Sequence, residues 1–299
     1  MKIVLFGKNG QVGWELQRAL APLGQVFAFD STQADFTQPD QVVDHLRSIQ
    51  PDVVVNAAAY TAVDKAESDI ERARLVNATT PEAVARWAAE HGALFVHYST
   101  DYVFDGSGTD ARAEDSATAP LSVYGQTKLE GEQAIAASGC KHLVFRTSWV
   151  YAAKGGNFAR TMLRLAAERD QLKVIADQIG APTGADLIAD VTAHALRQTW
   201  RQPELGGVYH LVASGQTSWW AYACWVIEWA RQQGAAVRVA PEAVVAIPTS
   251  DYPTPAKRPL NSRLSTAKLQ STFGLIMPDW KQGVERMLTE IHQPTLSRS

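Results

Sequence analysis

The sequence predicts an α/β fold, a doubly wound parallel sheet joined to a smaller C-terminal lobe. Three observations carry this reading. Through the first half of the 299-residue chain, short apolar runs alternate with stretches of helical periodicity, the pattern of a parallel sheet with helices on both faces. The first apolar run opens directly into a glycine turn, Gly7-x-x-Gly10-x-x-Gly13. Beyond residue 150 the chain changes character, toward a tryptophan-rich helix and a stretch rich in Pro, Thr and Ser.

Taken in order, residues 1–6 (Met-Lys-Ile-Val-Leu-Phe) read as a strand, and an amphipathic run over 14–23 reads as a helix stopped by Gly24. Strand, glycine turn, helix is the setting of a dinucleotide fingerprint, so the sheet is expected to be Rossmann-like. Gly7 permits the tight turn, Gly10 lets the backbone approach a pyrophosphate, and Gly13 allows the helix to pack close on the strand. The helix N-terminus adds free N–H groups and a positive dipole end. Asn9, Gln11 and Val12 in the same turn join the glycines as expected dinucleotide contacts. Residues 25–29 form a second strand ending at Asp30, an acidic residue placed to accept hydrogen bonds from the adenosine ribose and to disfavour a 2′-phosphate. Lys8 argues the other way, because an ammonium in the turn suits that phosphate, so both NADPH and NADH stand as cofactors. Asp35 and Phe36 are expected over the adenine, although Asp35 equally suits a helix cap.

Residues 52–58 read as a buried strand whose exit, Asn56 to Ala59, has little side-chain bulk. A ligand can lie close to such a backbone, and Ala59, Tyr60 and Thr61 are expected to touch the dinucleotide. An alanine-rich helical segment covers 69–91. Residues 93–98 and 141–145 are further strands, ending at Ser99-Thr100-Asp101 and Arg146-Thr147-Ser148-Trp149. Ligands on such sheets sit beyond the carboxyl ends of the strands, which puts Thr100, Asp101, Ser148 and Trp149 there. Between them lies Tyr124-Gly-Gln-Thr-Lys128. Four residues apart, a phenol and an ammonium share a helix face. The cation is expected to lower the phenol pKa from ~10, preparing it to exchange a proton with an oxygen whose carbon exchanges hydride.

The sheet domain is expected over 1–150, with returning segments near 181–215, and the second lobe over 151–180 and 216–299. Residues 151–180 read as helix-rich and 207–211 as a strand returning to the sheet. Residues 218–231 read as a helix whose Trp219, Trp220, Trp225 and Trp229 belong to a core, and 244–262 as a loop over a pocket. His97 and His210, each inside an apolar strand, read as hydrogen-bonded core histidines. The net charge of −3 points to neither nucleic acid nor a membrane surface as partner. No run of ~20 apolar residues occurs, and the apolar start stops at Gly7, short of a signal-peptide core. Cys140 and Cys224 lie far apart without metal spacing. A soluble cytoplasmic protein is expected.

Several segments together resemble the extended short-chain dehydrogenase/reductases: the glycine turn, Asn56-Ala57-Ala58, Ser99-Thr100-Asp101 and Tyr124-x-x-x-Lys128. Within that superfamily the chain resembles the dTDP-4-dehydrorhamnose reductases over nearly its whole length. Residues 56–67, 99–104 and 146–151 carry the likeness, with Asp177-Gln178-x-Gly180-x-Pro182-Thr183 and Arg258-Pro259-x-Asn261-Ser262-x-Leu264. The resemblance implies reduction of the 4-keto group of dTDP-4-dehydro-L-rhamnose by NADPH or NADH, toward a cell-surface polysaccharide precursor such as that of O-antigen. Tyr124 is then the general acid, Lys128 the holder of the nicotinamide ribose, and Thr100 a hydroxyl polarising the carbonyl.

For the nucleotide-sugar substrate, Arg258 offers a bidentate grip on the diphosphate, with Lys257 beside it. Trp149 is expected to pack on the sugar face and Asn157 to bond sugar or phosphate. Some members of the resembled family carry Mg²⁺ at a subunit contact, which implies a homodimer with Glu15, Asp186 and Glu290 as ligands; Asp186 stands where a longer glutamate is expected. Dehydratases of the superfamily follow the triad hydroxyl with an acid–glutamate pair, and Thr100-Asp101-Tyr102 lacks the glutamate. Two alternatives are an epimerase, which shares the triad, and a non-catalytic dinucleotide-binding regulatory subunit, which would tolerate its loss. The intact triad favours an enzyme.

Overall fold

The computed structural model describes residues 1–292. Its first strand, β1 (Lys2–Phe6), is apolar on both faces, with Ile3 to Phe6 fully buried, as a central parallel strand must be. Next come α1 (Gln11–Leu20), β2 (Gln25–Phe29), α2 (Pro39–Ile49) and β3 (Val53–Asn56). α1 starts inside the glycine turn, three residues before the amphipathic run, because Gly10 is its N-cap. Two short helices, α3 (Val63–Ala66) and α4 (Ile70–Arg74), lead through a π-helical stretch at Leu75–Thr79 into α5 (Thr80–His91). The widened turn carries buried Asn77 inward. Its Oδ1 accepts from the Tyr60 amide at 2.9 Å, and its Nδ2 donates to the Tyr60 carbonyl and the Thr127 hydroxyl. Then follow β4 (Leu94–Thr100), α6 (Val123–Ala137) and β5 (Lys141–Thr147).

The second half holds β6 (Val150–Tyr151), α7 (Phe158–Glu168), β7 (Leu172–Ile175), β8 (Ile179–Gly180), β9 (Thr183–Gly184), α8 (Ala185–Arg201) and β10 (Gly207–His210). It closes with β11 (Thr217–Ser218), α9 (Trp219–Gln232), β12 (Val244–Ile247), α10 (Ala267–Phe273) and α11 (Trp280–His292). Two expectations change here. Residues 151–180 contain strands as well as α7, and 244–247 form a strand rather than the start of a loop. β12 pairs in parallel with β7, Val244 opposite Leu172 through Ile247 opposite Ile175. Val244-Val245-Ala246-Ile247 is mostly β-branched, and the Pro-rich stretch begins only at Pro248.

The main sheet has six strands in the order β10-β5-β4-β3-β1-β2, every neighbouring pair parallel. It is the doubly wound, Rossmann-like sheet the glycine turn predicts. Leu16 and Leu20 of α1 with Ile188 and Leu196 of α8 pack on Ile3, Leu5, Val55 and Val96, covering one face. On the other face Leu46, Val84, Trp87 and Ile135 meet Val4, Phe6, Val54 and Phe95. Each such fully buried side chain contributes about 1.5–3 kcal/mol. The strand order reverses between β1 and β3, so the crevice opens where their carboxyl ends diverge. No helix among the described residues is long and apolar enough to cross a membrane.

Candidate active site

At the crevice, Gly7 adopts φ +85°, and a Cβ there would lie 2.7 Å from the backbone of Ala57 at the end of β3. A Cβ on Gly13 would lie 2.0 Å from the Gly7 carbonyl oxygen. The two glycines thus seat the turn on β3 and α1 on the turn. Gly10 caps α1 without a side-chain bond, leaving the first helical amides to face the cleft. Beyond β2, the Asp30 carboxylate accepts from the Thr32 hydroxyl at 2.6 Å, the Thr32 amide at 3.0 Å and Asn9 Nδ2 at 3.2 Å. Lys8 Nζ stands 3.4 Å away. The Thr32 hydroxyl foremost, then its amide and the Lys8 ammonium, hold Asp30 down at about 2. Asn9, Asp30, Asp35, Phe36 and Tyr60 line a cleft of about 440 Å³. Asp35 is not the helix cap, since α2 begins at Pro39 behind Gln38. It closes a local turn, accepting from the Thr37 amide and hydroxyl at 2.9 Å.

A second cavity, about 680 Å³, runs from Gln11 and Val12 past Ala59 and Thr61 to Thr100, Tyr124 and Trp149. Four polar atoms on its wall are buried without a partner: Ser99 Oγ, Asp101 Oδ2, Thr147 Oγ1 and Ser148 Oγ. Buried polar groups normally find partners, so this wall suits a ligand rich in hydroxyl and amide groups. Burial raises Tyr124 to about 12, against the pull of a bond to the Thr100 hydroxyl. It raises Asp101 to about 6. Thr100 Oγ1 donates to Asp101 Oδ1 at 3.0 Å and accepts from the Tyr102 amide at 3.2 Å. The expected lowering of the Tyr124 phenol by Lys128 is not found. Lys128 shares the helix face but lies Nζ to Nε2 3.1 Å from His97 of β4, and desolvation dominates the phenol.

A third cavity, about 710 Å³, lies against α7, β7 and α9 and is lined by Tyr102, Phe158, Trp219, Tyr252 and Arg258 among others. Tyr102 lines both this cavity and the second, and Trp149 lines the second. That residue sits at φ +49°, unusual for a bulky side chain, and stacks face to face on Trp219 with centroids 3.6 Å apart. Gly180 makes room for it, since a Cβ there would fall 2.8 Å from the indole. Arg258 binds Asp64 through two bonds of 2.8 and 3.1 Å, which lowers the Asp64 carboxyl.

A family model described as "RmlD substrate binding domain" matches residues 1–293. The dTDP-4-dehydrorhamnose reductase of Escherichia coli K12 is 59% identical over 299 residues, covering 99% of each chain. The chain belongs to the dTDP-4-dehydrorhamnose reductase family. It is thereby an NAD(P)H-dependent oxidoreductase. The solved family structure from Clostridium acetobutylicum is 35% identical and superposes with a TM-score of 0.88 over 98% of this chain and 100% of that one. One from Bacillus anthracis, in complex with NADP, is 33% identical, with a TM-score of 0.85 over 97% and 99%.

The surroundings of several residues singled out in the sequence of this dTDP-4-dehydrorhamnose reductase family member are now defined. Glu15, Asp186 and Glu290 line one small cavity with Arg18 and Arg286 among them. Arg286 lies 3.8 Å from Asp186 and 3.2 Å from Glu290, and Arg18 lies 3.6 Å from Glu15. Guanidinium groups neutralise the carboxylates, and no cluster of three metal-ligating side chains forms among the described residues. Asn157 is engaged locally: its Oδ1 caps α7 by accepting from the Arg160 amide at 2.9 Å, and its Nδ2 donates to the Ala152 carbonyl at 2.7 Å. Trp219 belongs to the cavity wall as well as to a core. The loop Lys154-Gly155-Gly156, marked in the sequence by its glycine pair, also lines the second cavity; Gln11 Nε2 donates to the Gly156 carbonyl at 3.0 Å.

Proposed function

We propose that this chain reduces the 4-keto group of dTDP-4-dehydro-L-rhamnose to give dTDP-L-rhamnose, with NADPH or NADH as reductant, in the biosynthesis of a polysaccharide precursor. The observation that carries the reading is the second cavity. It joins the helix N-terminus at Gly10 to a buried, protonated Tyr124, and its orphaned polar wall suits a polyhydroxylated ligand. Asp30, Asn9 and the α1 amides would hold the dinucleotide, which supplies hydride to the carbonyl carbon when bound.

Tyr124 donates its phenolic proton to the carbonyl oxygen as hydride arrives, so ketone, hydride and proton sum to the alcohol. Thr100 turns its hydroxyl from Asp101 to the same oxygen and stabilises the charge that develops there. Trp149 offers an apolar face to the sugar. Arg258, held in place by Asp64, offers its remaining donors to the diphosphate. The test is sugar-nucleotide-dependent loss of NADPH, then NADH, absorbance with enzymatically generated dTDP-4-dehydro-L-rhamnose. Dinucleotide binding without turnover would refute the reductase and move the weight to an epimerase or a regulatory subunit.

The Lys8–Asp30 pair gives a prediction about cofactor choice. Asp30→Ala removes a charge-assisted acceptor for ribose, a contribution of about 1.5–3 kcal/mol, and should weaken NADH by roughly tenfold or more. NADPH should suffer less, because Lys8, then held only by Gln33 Oε1 at 2.5 Å, loses its carboxylate partner and keeps its full charge for a 2′-phosphate. Titrations of intrinsic fluorescence with each dinucleotide check this; equal weakening of both would refute the ribose role.

A further inference from the structure

His97 lies at the middle of β4, fully buried, and bonds to the lysine of the Tyr-x-x-x-Lys pair from below the cavity. The polarity of its bonds is fixed by the chain itself. The Ala58 amide can only donate, and it donates to Asn56 Oδ1 at 3.0 Å. Asn56 Nδ2 therefore faces His97, and it stands 3.1 Å from Nδ1. An amide nitrogen donates, so Nδ1 carries no proton. In a neutral imidazole the proton then sits on Nε2. That Nε2–H points at Lys128 Nζ, 3.1 Å away. An ammonium has no lone pair to accept it. The chain of bonds closes only around a neutral amine.

We propose that in mildly alkaline solution His97 is a positioning residue that holds Lys128 as a neutral amine, and that dinucleotide binding there draws Lys128 off His97 as an ammonium, taking one proton from solution. The second half rests on the reductase reading; the first rests on the bonds alone. Balance is simple: amine plus solvent proton gives ammonium, whose N–H groups then donate to ribose hydroxyls. Burial acts in the same direction, lowering Lys128 to about 8 and His97 well below its ordinary value. The charged and titratable groups around the pair are few. Glu132, one turn along α6, favours the ammonium but is itself engaged by Arg146 of β5. Asp101 and Tyr124 lie at the end of β4 and the start of α6. Asn56 of β3 and Asn77 of the π-helical stretch are neutral.

Two measurements test this. In ¹⁵N-histidine-labelled protein at about pH 9, the ring nitrogens of His97 should report the Nε2–H tautomer with a bare Nδ1; an Nδ1–H tautomer or an imidazolium would overturn the storage role. Calorimetric titration with NADPH in buffers of different ionisation heat counts protons. Uptake should approach about one per dinucleotide near pH 9 and fade by about pH 7, because the Lys128 pKa rises from its lowered value toward ~10.4. His97→Gln should cut that uptake to less than half, since an amide oxygen already accepts from an ammonium in the free protein; a merely structural histidine would change affinity but not the proton count. Binding without uptake in the unmodified protein would overturn the second half and leave the reductase reading intact. Absence of any dinucleotide binding would overturn that reading and the second half together, while the tautomer still decides the first.

Discussion

Replacing Tyr124 by Phe is expected to lower kcat by about 10²- to 10⁴-fold with little change in dinucleotide affinity. The ring is held by packing that does not involve its oxygen: it lies edge-on to Tyr102, centroids 5.4 Å apart at 77°. Phenylalanine keeps that contact and removes only the O–H. What is lost is the proton donor, an interaction made with the oxygen as its charge develops, so kcat and kcat/KM should fall together. Burial pushes the phenol up to about 12, which keeps it protonated across the neutral range and suits a donor. Steady-state NADPH oxidation and a dinucleotide titration on the same preparation give both halves. Turnover equal to the unmodified enzyme would sink the assignment.

Glu132→Ala should reduce the free energy of unfolding by about 3–5 kcal/mol. Arg146 and Glu132 tie β5 to α6 through side chains only 6% and 4% exposed. Arg146 Nε donates to both carboxylate oxygens at 3.0 and 3.1 Å, and its NH2 group donates to Oε2 at 2.6 Å. Its third nitrogen, Nη1, donates to the Glu114 carbonyl at 3.1 Å, and the guanidinium lies 5.2 Å from the Phe104 ring centre. Removing the carboxylate leaves a buried cation without its counter-charge, which is far worse than losing the pair as a whole. Changing both residues to Met should therefore recover much of the loss. Urea denaturation of the three proteins reads this directly. A Glu132→Ala protein within about 1 kcal/mol of the original would contradict the account.

The sheet was legible because its signals are local. A buried run such as Val53–Asn56, a glycine turn after β1 and a helical period in α1 each show within a dozen residues. The site was legible wherever it hangs on a strand end, as at Thr100 and Trp149. Relations across elements were not. That Lys128 meets His97 depends on how α6 rests on β4, which no spacing within α6 reveals. Arg18 and Arg286 sit among the expected metal ligands through the packing of α1, α8 and α11, three segments far apart in sequence. Asn157 carries the residue type of a ligand and of a helix cap alike, and only the start of α7 decides between them. Residues 244–247 looked like loop because Pro248 and its followers outweighed four strand-forming residues in the same window.

The Trp149–Trp219 stack has a consequence for observation. Two indoles face to face, with centroids 3.6 Å apart and 14° from parallel, lie at the boundary between two cavities. Indoles this close and this nearly parallel are expected to couple in absorption and emission, giving a signal that depends on their spacing. One partner extends from the end of β5 and the other opens α9. Any ligand or movement that shifts α9 against the sheet must alter that spacing. The enzyme thus carries its own optical gauge at the point where sugar and cofactor would meet, readable by circular dichroism and fluorescence without a label.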